Sequence, residues 1–131
     1  MSYSHAATAY RAREIQTATP GRLVVLVYDH VIAQLARAAL AERAGKIEER
    51  VLATTKARAG VFELMATLDL ERGGNVAANL KGLYGFFLLE IQEFGRERNL
   101  ERLNNVAKMV SDLRDAFAAI ANVDTARVPA A

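Results

Sequence analysis

Residues 65–84 read Met65-Ala66-Thr67-Leu68-Asp69-Leu70-Glu71-Arg72-Gly73-Gly74-Asn75-Val76-Ala77-Ala78-Asn79-Leu80-Lys81-Gly82-Leu83-Tyr84. This is the end of one helix, a tight turn at Gly73-Gly74, and the start of a second helix. Gly73 can take the left-handed conformation that closes a helix without the penalty a Cβ brings. Leu64, Met65 and Leu68 precede the turn, and Val76, Leu80, Leu83 and Tyr84 follow it. Spacings of three and four put the apolar residues on one face of each helix. A two-residue break between long periodic segments makes the two helices antiparallel neighbours.

Working outward, Thr19-Pro20 is a strong helix start: a hydroxyl N-cap, then a proline at N1, where its missing N–H costs nothing. Helix 1 is expected from Pro20 to about Arg43, with Gly45 beyond its end. The run Leu23–Tyr28 could by itself be a buried strand, but the cap and the continuation through Val31, Leu35, Ala38 and Ala39 favour a helix. Its first half is apolar nearly all round. Val27, Val31 and Ala38 fall on one side and Val25 and Ile32 on the other, so more than one side must be covered. Asp29 lies within this apolar helix, placed either to hydrogen-bond the arm or a loop or to face water.

Helix 2 is expected from about Lys46 to Leu70, with a core stripe of Ile47, Val51, Thr54, Val61, Phe62, Met65 and Leu68. Arg58 interrupts that stripe; its stem can lie on apolar surface while its head reaches water. A flanking stripe of Ala53, Ala57, Gly60 and Leu64 runs beside it. Helix 3, about Asn75 to Glu97, carries the core stripe Val76, Leu80, Leu83, Tyr84, Phe87, Leu88, Ile91 and Phe94. On its far side lies a second stripe: Ala78, Gly82, Gly85, Phe86 and Leu89. Each interior glycine costs a helix about 1 kcal/mol relative to alanine. The pair therefore suggests close approach of another backbone, with Phe86 and Leu89 beside it. Helix 4 begins near Asn99, an N-cap residue, and runs to about Asn122. Its stripe is Leu100, Leu103, Val106/Ala107, Val110, Leu113, Phe117 and Ile120, with Lys108, Ser111, Asp112, Arg114 and Asp115 on the wet side.

The fold class is therefore all-α: an antiparallel up-down-up-down four-helix bundle over residues 19–123. A short N-terminal arm occupies residues 1–18 and a flexible tail residues 124–131. Composition alone makes the arm a frayed terminus. At 131 residues with 52% apolar and 24% charged residues, the chain is one domain with a real core. Leu23–Tyr28 is too short to span a bilayer, no signal-peptide pattern precedes it, and membrane insertion is not expected. The absence of cysteine fits a reducing cytosol. Seventeen basic and fifteen acidic residues are interspersed. The densest basic segment, Arg96–Arg102, alternates with Glu97 and Glu101 and reads as a solvated helix junction, not a nucleic-acid stripe.

Nothing points to catalysis. The two histidines, His5 and His30, are far apart in sequence, and no Glu-x-x-His pair is present for a di-iron bundle. Too few nitrogen or sulfur ligands exist for zinc, and no nucleophile or phosphate-loop motif occurs. Asp69 and Glu71 point in different directions at a helix end and read as surface charges. No cofactor or metal is expected.

Several segments taken in order resemble one family. They are Tyr10, Ile15-Gln16-Thr17-Ala18-Thr19-Pro20-Gly21-Arg22-Leu23, Val27-Tyr28-Asp29, Leu68-Asp69-Leu70-Glu71-Arg72-Gly73-Gly74, Ala78-Asn79-Leu80 with Leu83-Tyr84, and Leu113-Arg114-Asp115-Ala116-Phe117. Together they resemble FliS, the flagellin-specific export chaperone of bacteria, over about residues 3–120. The chain departs from the family pattern at His30-Val31, where Gly-Ala is common, and at Gly85–Glu90, which is more apolar than usual.

The resemblance implies a cytoplasmic bundle that binds the C-terminal segment of flagellin. That segment is disordered when free and becomes helical as it wraps the chaperone, which delays polymerisation and helps present flagellin to the export apparatus. In the family the N-terminal arm can cover part of the binding surface, which would make Tyr10 and Ile15 a displaceable cover. The second stripes suit such a client, since they offer apolar area and small residues. The client-binding residues are accordingly expected to be Tyr10, Ile15, Val25, Tyr28, Ile32, Ala57, Gly60, Leu64, Ala78, Gly82, Gly85, Phe86 and Leu89. A structural bundle whose extra stripes form a homodimer is the alternative.

Overall fold

The computed structural model describes Ala6 and residues 19–127, with side chains through position 122. Tyr10 and Ile15 lie outside the described residues, as do positions 128–131. Among the described residues there are four helices: α1 (Pro20–Arg43), α2 (Ile47–Ala66), α3 (Leu70–Glu97) and α4 (Leu100–Arg127). Each packs on its chain neighbours, and α4 closes the ring by packing on α1. This is the four-helix bundle expected from the periodicities, with α3 diagonally across from α1.

The caps explain the boundaries. Thr19 Oγ1 accepts the Arg22 N–H at 3.2 Å, with Pro20 behind it. At the α3–α4 corner Arg98 takes a left-handed conformation, and Asn99 Oδ1 accepts the Glu101 and Arg102 N–H groups at 3.0 and 3.4 Å. The junction, expected as a solvated one, carries ion pairs. Arg96 meets Glu93 at 2.6 Å and Glu97 at 2.8 Å, and Arg102 meets Glu90 at 3.0 Å.

The α2–α3 turn falls earlier than the glycines indicate. Asp69 accepts the Glu71 and Arg72 N–H groups at 3.2 and 3.0 Å and so starts a new helix at Leu70. An N-cap carboxylate satisfies two otherwise orphaned donors, and here it ends α2 at Ala66 rather than Leu70. Asp69 is thus a helix cap. The left-handed glycine is Gly74 (φ 52°, ψ −130°), not Gly73, and it breaks the start of α3 before the regular run from Asn75. At the other end α4 continues past the expected Asn122 to Arg127.

α1 is the helix around which the others close. Taken whole, Pro20–Arg43 is long and apolar enough to cross a membrane by length and composition. In the bundle part of that apolar surface is taken up between α2 and α4, and Val25, Tyr28, Val31, Leu35 and Ala38 are fully buried. Asp29 accepts from Arg114 Nε of α4 at 2.8 Å, so Arg114 is a half-buried tie between helices and not a purely wet residue. Nearby, Phe117 lies 5.3 Å from the Tyr28 ring, and Ala118 and Ala121 pack on Val25.

The largest difference from the sequence expectation is the rotation of α2. Ala53, Ala57, Gly60, Val61 and Leu64 form its buried face, while Ile47, Val51 and Phe62 are more than half exposed. The cause is the close approach of α1. A Cβ on Gly60 would stand 2.6 Å from Val31 Cγ2. Two helices that come this near need small residues at the crossing. Arg50, which sits on the same buried side, is neutralised by Glu42 at 2.9 Å. Smaller differences occur elsewhere. Val76 is 69% exposed and Ile120 is 58% exposed, and Ala77, Ala118 and Ala121 take the buried positions instead.

Gly60→Ala tests this packing. Val31 is fully buried and branched, so it cannot move aside cheaply. Overpacking of about 1–3 kcal/mol should outweigh the roughly 1 kcal/mol that alanine adds to helix propensity. The net cost of up to about 2 kcal/mol should lower the Tm by up to roughly 8 °C in calorimetry; a raised Tm would mean the two helices are not in close contact there.

Candidate functional site

The outer face of α3 is the strongest candidate surface. The core side of this helix is set by Tyr84, Phe87, Ile91 and Phe94, all 1% exposed or less. About 180° away a 3.6-residue period brings Ala78, Gly82, Gly85, Phe86 and Leu89 to the outer side. Ala78 and Gly82 are exposed and Gly85 is half-buried. Phe86 is 43% exposed, its ring 6.3 Å from that of Phe87, and Leu89 is 54% exposed. A Cβ at Gly82 or Gly85 would meet nothing within 4 Å. The bundle itself therefore makes no use of these two glycines. They leave a shallow strip of bare backbone flanked by an aromatic ring and a leucine.

The strip has charged borders. On the α4 side, Glu90 and Glu93 are held by Arg102 and Arg96. The Arg96 guanidinium, hydrogen-bonded to Glu93, holds that carboxyl below its ordinary range. On the other border α2 adds apolar area. Gly60, Glu49 and Lys56 mark the α1 side of α2. On a helical wheel Ile47, Val51 and Phe62 fall on the opposite flank, toward α3. These three were expected in the core, and they are exposed instead. The one hint in the sequence was Arg58, an exposed arginine in the middle of their stripe.

The other expected site residues are placed differently. Val25, Tyr28, Ala57 and Gly60 are buried, and Leu64 is 1% exposed. All five therefore lie in the interior of the bundle and not on the α3 strip. Ile32 is half-buried and lines a cavity of about 380 Å³ between α1 and α4, apart from the α3 strip. So Ala78, Gly82, Gly85, Phe86 and Leu89 are brought together, and the α1 and α2 residues are not added to them.

Tyr28 has a specific inner role. Its hydroxyl is hydrogen-bonded to that of Tyr84, across the diagonal of the bundle from α1 to α3. Burial pushes the ionisation of both phenols above the ordinary value, and for Tyr28 the shared hydrogen bond adds to this. No buried side-chain polar atom lacks a partner among the described residues. Tyr84 and Tyr28 thus fix, from within, the helix that displays the outer strip. The surface has the chemistry of a groove for an apolar helix: area to bury, room for a backbone, and fixed charges at the edge.

Comparison with known proteins gives the family. The family model described as "Flagellar protein FliS" matches residues 3–124. A flagellar secretion chaperone FliS of Campylobacter jejuni is 32% identical over 125 residues, covering 95% of this chain and 98% of that one. FliSB of Pseudomonas aeruginosa is 27% identical over 109 residues, covering 83% and 86%. FliS of Bacillus subtilis is 26% identical over 117 residues, covering 89% and 86%.

Proposed function

Because this chain belongs to the FliS family, we propose that it is a cytoplasmic export chaperone for flagellin. It binds the disordered C-terminal segment of flagellin, prevents premature polymerisation and assists delivery to the export apparatus. The observation that carries this reading is the glycine-opened apolar strip on α3, which the bundle does not need for its own packing.

The physical basis is coupled folding and binding. A free flagellin segment loses chain entropy as it becomes helical, and burial of apolar area has to offset that loss. Phe86 and Leu89 supply area, while Gly82 and Gly85 let the client backbone come close. Phe62 and Val51 on α2 extend the surface. Once covered, the segment cannot make the contacts that polymerisation requires. The protein acts by binding and needs neither catalysis nor a cofactor. Tyr10 and Ile15 of the N-terminal arm serve as the displaceable cover in this scheme.

Calorimetric titration with a C-terminal flagellin peptide tests it. The expected result is a 1:1 complex, a negative heat-capacity change, and a gain of helix by circular dichroism. Absence of binding to the flagellin of the same organism would sink the reading. The exposed Phe62, Phe86 and Leu89 also suit a second reading, a homodimer. The mass of the free protein in solution separates the two, since an obligate dimer would leave this surface closed to a client.

A further inference from the structure

A second surface lies on the far side of the molecule from the α3 strip. The C-terminal half of α1 and the N-terminal half of α2 enclose a cleft of about 440 Å³. That volume is within the roughly 300–1,000 Å³ of ordinary binding clefts. Its floor is apolar: Ala41 and Ala53 are buried, while Leu40 and Leu52 remain 64% and 56% exposed. Gln34, 5% exposed, also lines the cleft. The rim is basic. Arg37, Lys46 and Lys56 line it, against the single acid Glu49, which stands 4.0 Å from Lys46.

The cleft is also rigid. The turn that closes one end is held by backbone bonds from Gly45 to Glu42 and from Lys46 to Ala41, at 3.2 and 2.9 Å. Just beyond, the Arg50–Glu42 pair ties the two helices together. A preformed cleft avoids the cost of ordering itself on binding.

We propose that this cleft docks an acidic amphipathic helix of a partner protein. Leucine-type side chains of that helix would enter between Leu40 and Leu52, and its carboxylates would face Arg37, Lys46 and Lys56. Concavity between two helices fits a third helix and does not fit a flat lipid surface. A second copy of this chain is disfavoured, because a two-fold contact would set the same three cations against themselves. α1 is diagonal to α3, so the cleft and the flagellin strip can be occupied together. The proposal does not depend on the flagellin reading.

The test uses a fluorescent helical peptide of about 15 residues, leucines at spacings of three and four and glutamates flanking them, with a twin carrying lysines for the glutamates. The glutamate peptide should bind, with affinity falling about tenfold between low salt and about 0.5 M salt, and the lysine twin should not bind. The double variant Arg37→Glu/Lys56→Glu should weaken the glutamate peptide about tenfold and admit the lysine twin. Both positions are exposed, so the circular dichroism spectrum should be unchanged. Binding of the flagellin peptide should also be unchanged in this variant. The proposal is overturned if the glutamate peptide does not bind, if both peptides bind alike, or if charge reversal has no effect. It is equally overturned if phosphatidylserine vesicles bind in place of the peptide, or if the variant loses the flagellin peptide as well.

Discussion

Replacing Gly82 with leucine should leave the bundle folded, raise its Tm slightly, and abolish detectable binding of the flagellin C-terminal peptide. The two halves of this result have opposite signs and separate causes. A Cβ at the exposed position 82 meets nothing within 4 Å, so the fold loses little by a side chain there. Leucine is a better helix former than glycine by about 0.8 kcal/mol, which corresponds to a Tm higher by roughly 3–4 °C. In the complex, the same side chain occupies the space that the client backbone needs. Holding the client away from Phe86 and Leu89 removes their burial, a loss of at least about 2–3 kcal/mol, or roughly 30–150-fold in Kd. A thermal melt and a titration on the same sample read both effects. Unimpaired binding by Gly82→Leu would show that the α3 strip is not the groove.

The second large effect lies inside the bundle. Tyr28→Phe and Tyr84→Phe should each destabilise the protein by about 1–3 kcal/mol, and the double variant should cost much less than the sum. Each single substitution keeps the ring and leaves the partner hydroxyl buried without a hydrogen bond, whereas the double substitution removes both polar groups. Urea unfolding of the four proteins gives the coupling; additive costs would mean that the hydroxyls do not interact.

The pair also predicts a pH dependence. Both phenols ionise at higher pH in the folded protein than the ordinary value of about 10. Above that pH the unfolded chain releases phenolic protons that the folded chain keeps. The stabilisation is therefore fully present below about pH 10 and is lost as the pH rises beyond it. Tyrosinate absorbance from this pair should appear only as the protein unfolds. The double phenylalanine variant should lose less stability than the parent between pH 9 and 11; an equal loss in both would contradict the shifts.

Some features were readable because local chemistry decides them. Thr19-Pro20 sets the start of α1 through one hydroxyl and one ring, and neither needs a tertiary partner. The outer strip of α3 was readable because glycines opposite a clean core stripe have no local explanation. Asp69 is the exposed charge at a helix end that the sequence suggests, but its capping role depends on which N–H groups come within reach, a matter of the turn's path. Asp29 stayed open between two readings until Arg114 of α4 was seen beside it, 85 residues away in sequence.

α2 shows the limit most clearly. It carries two apolar stripes, one of large residues (Ile47, Val51, Phe62) and one of small residues (Ala53, Ala57, Gly60). Periodicity locates both stripes and cannot rank them. Ranking by size favours the large one for the core, and the structure has the reverse, because α1 crosses close enough to touch Gly60.

The amino-acid sequence alone determined the four helices of the described residues, their order and antiparallel sense, the start of α1, and the existence of a surplus apolar face on α3. Those follow from caps, turn residues and a 3.6-residue period, all of them short-range. Only the tertiary structure decided which stripe of α2 is buried, that Tyr28 meets Tyr84 across the core, and that Val25, Tyr28, Ala57, Gly60 and Leu64 lie inside. Each of those depends on how closely two helices approach, and that distance is set by side chains far apart in the chain.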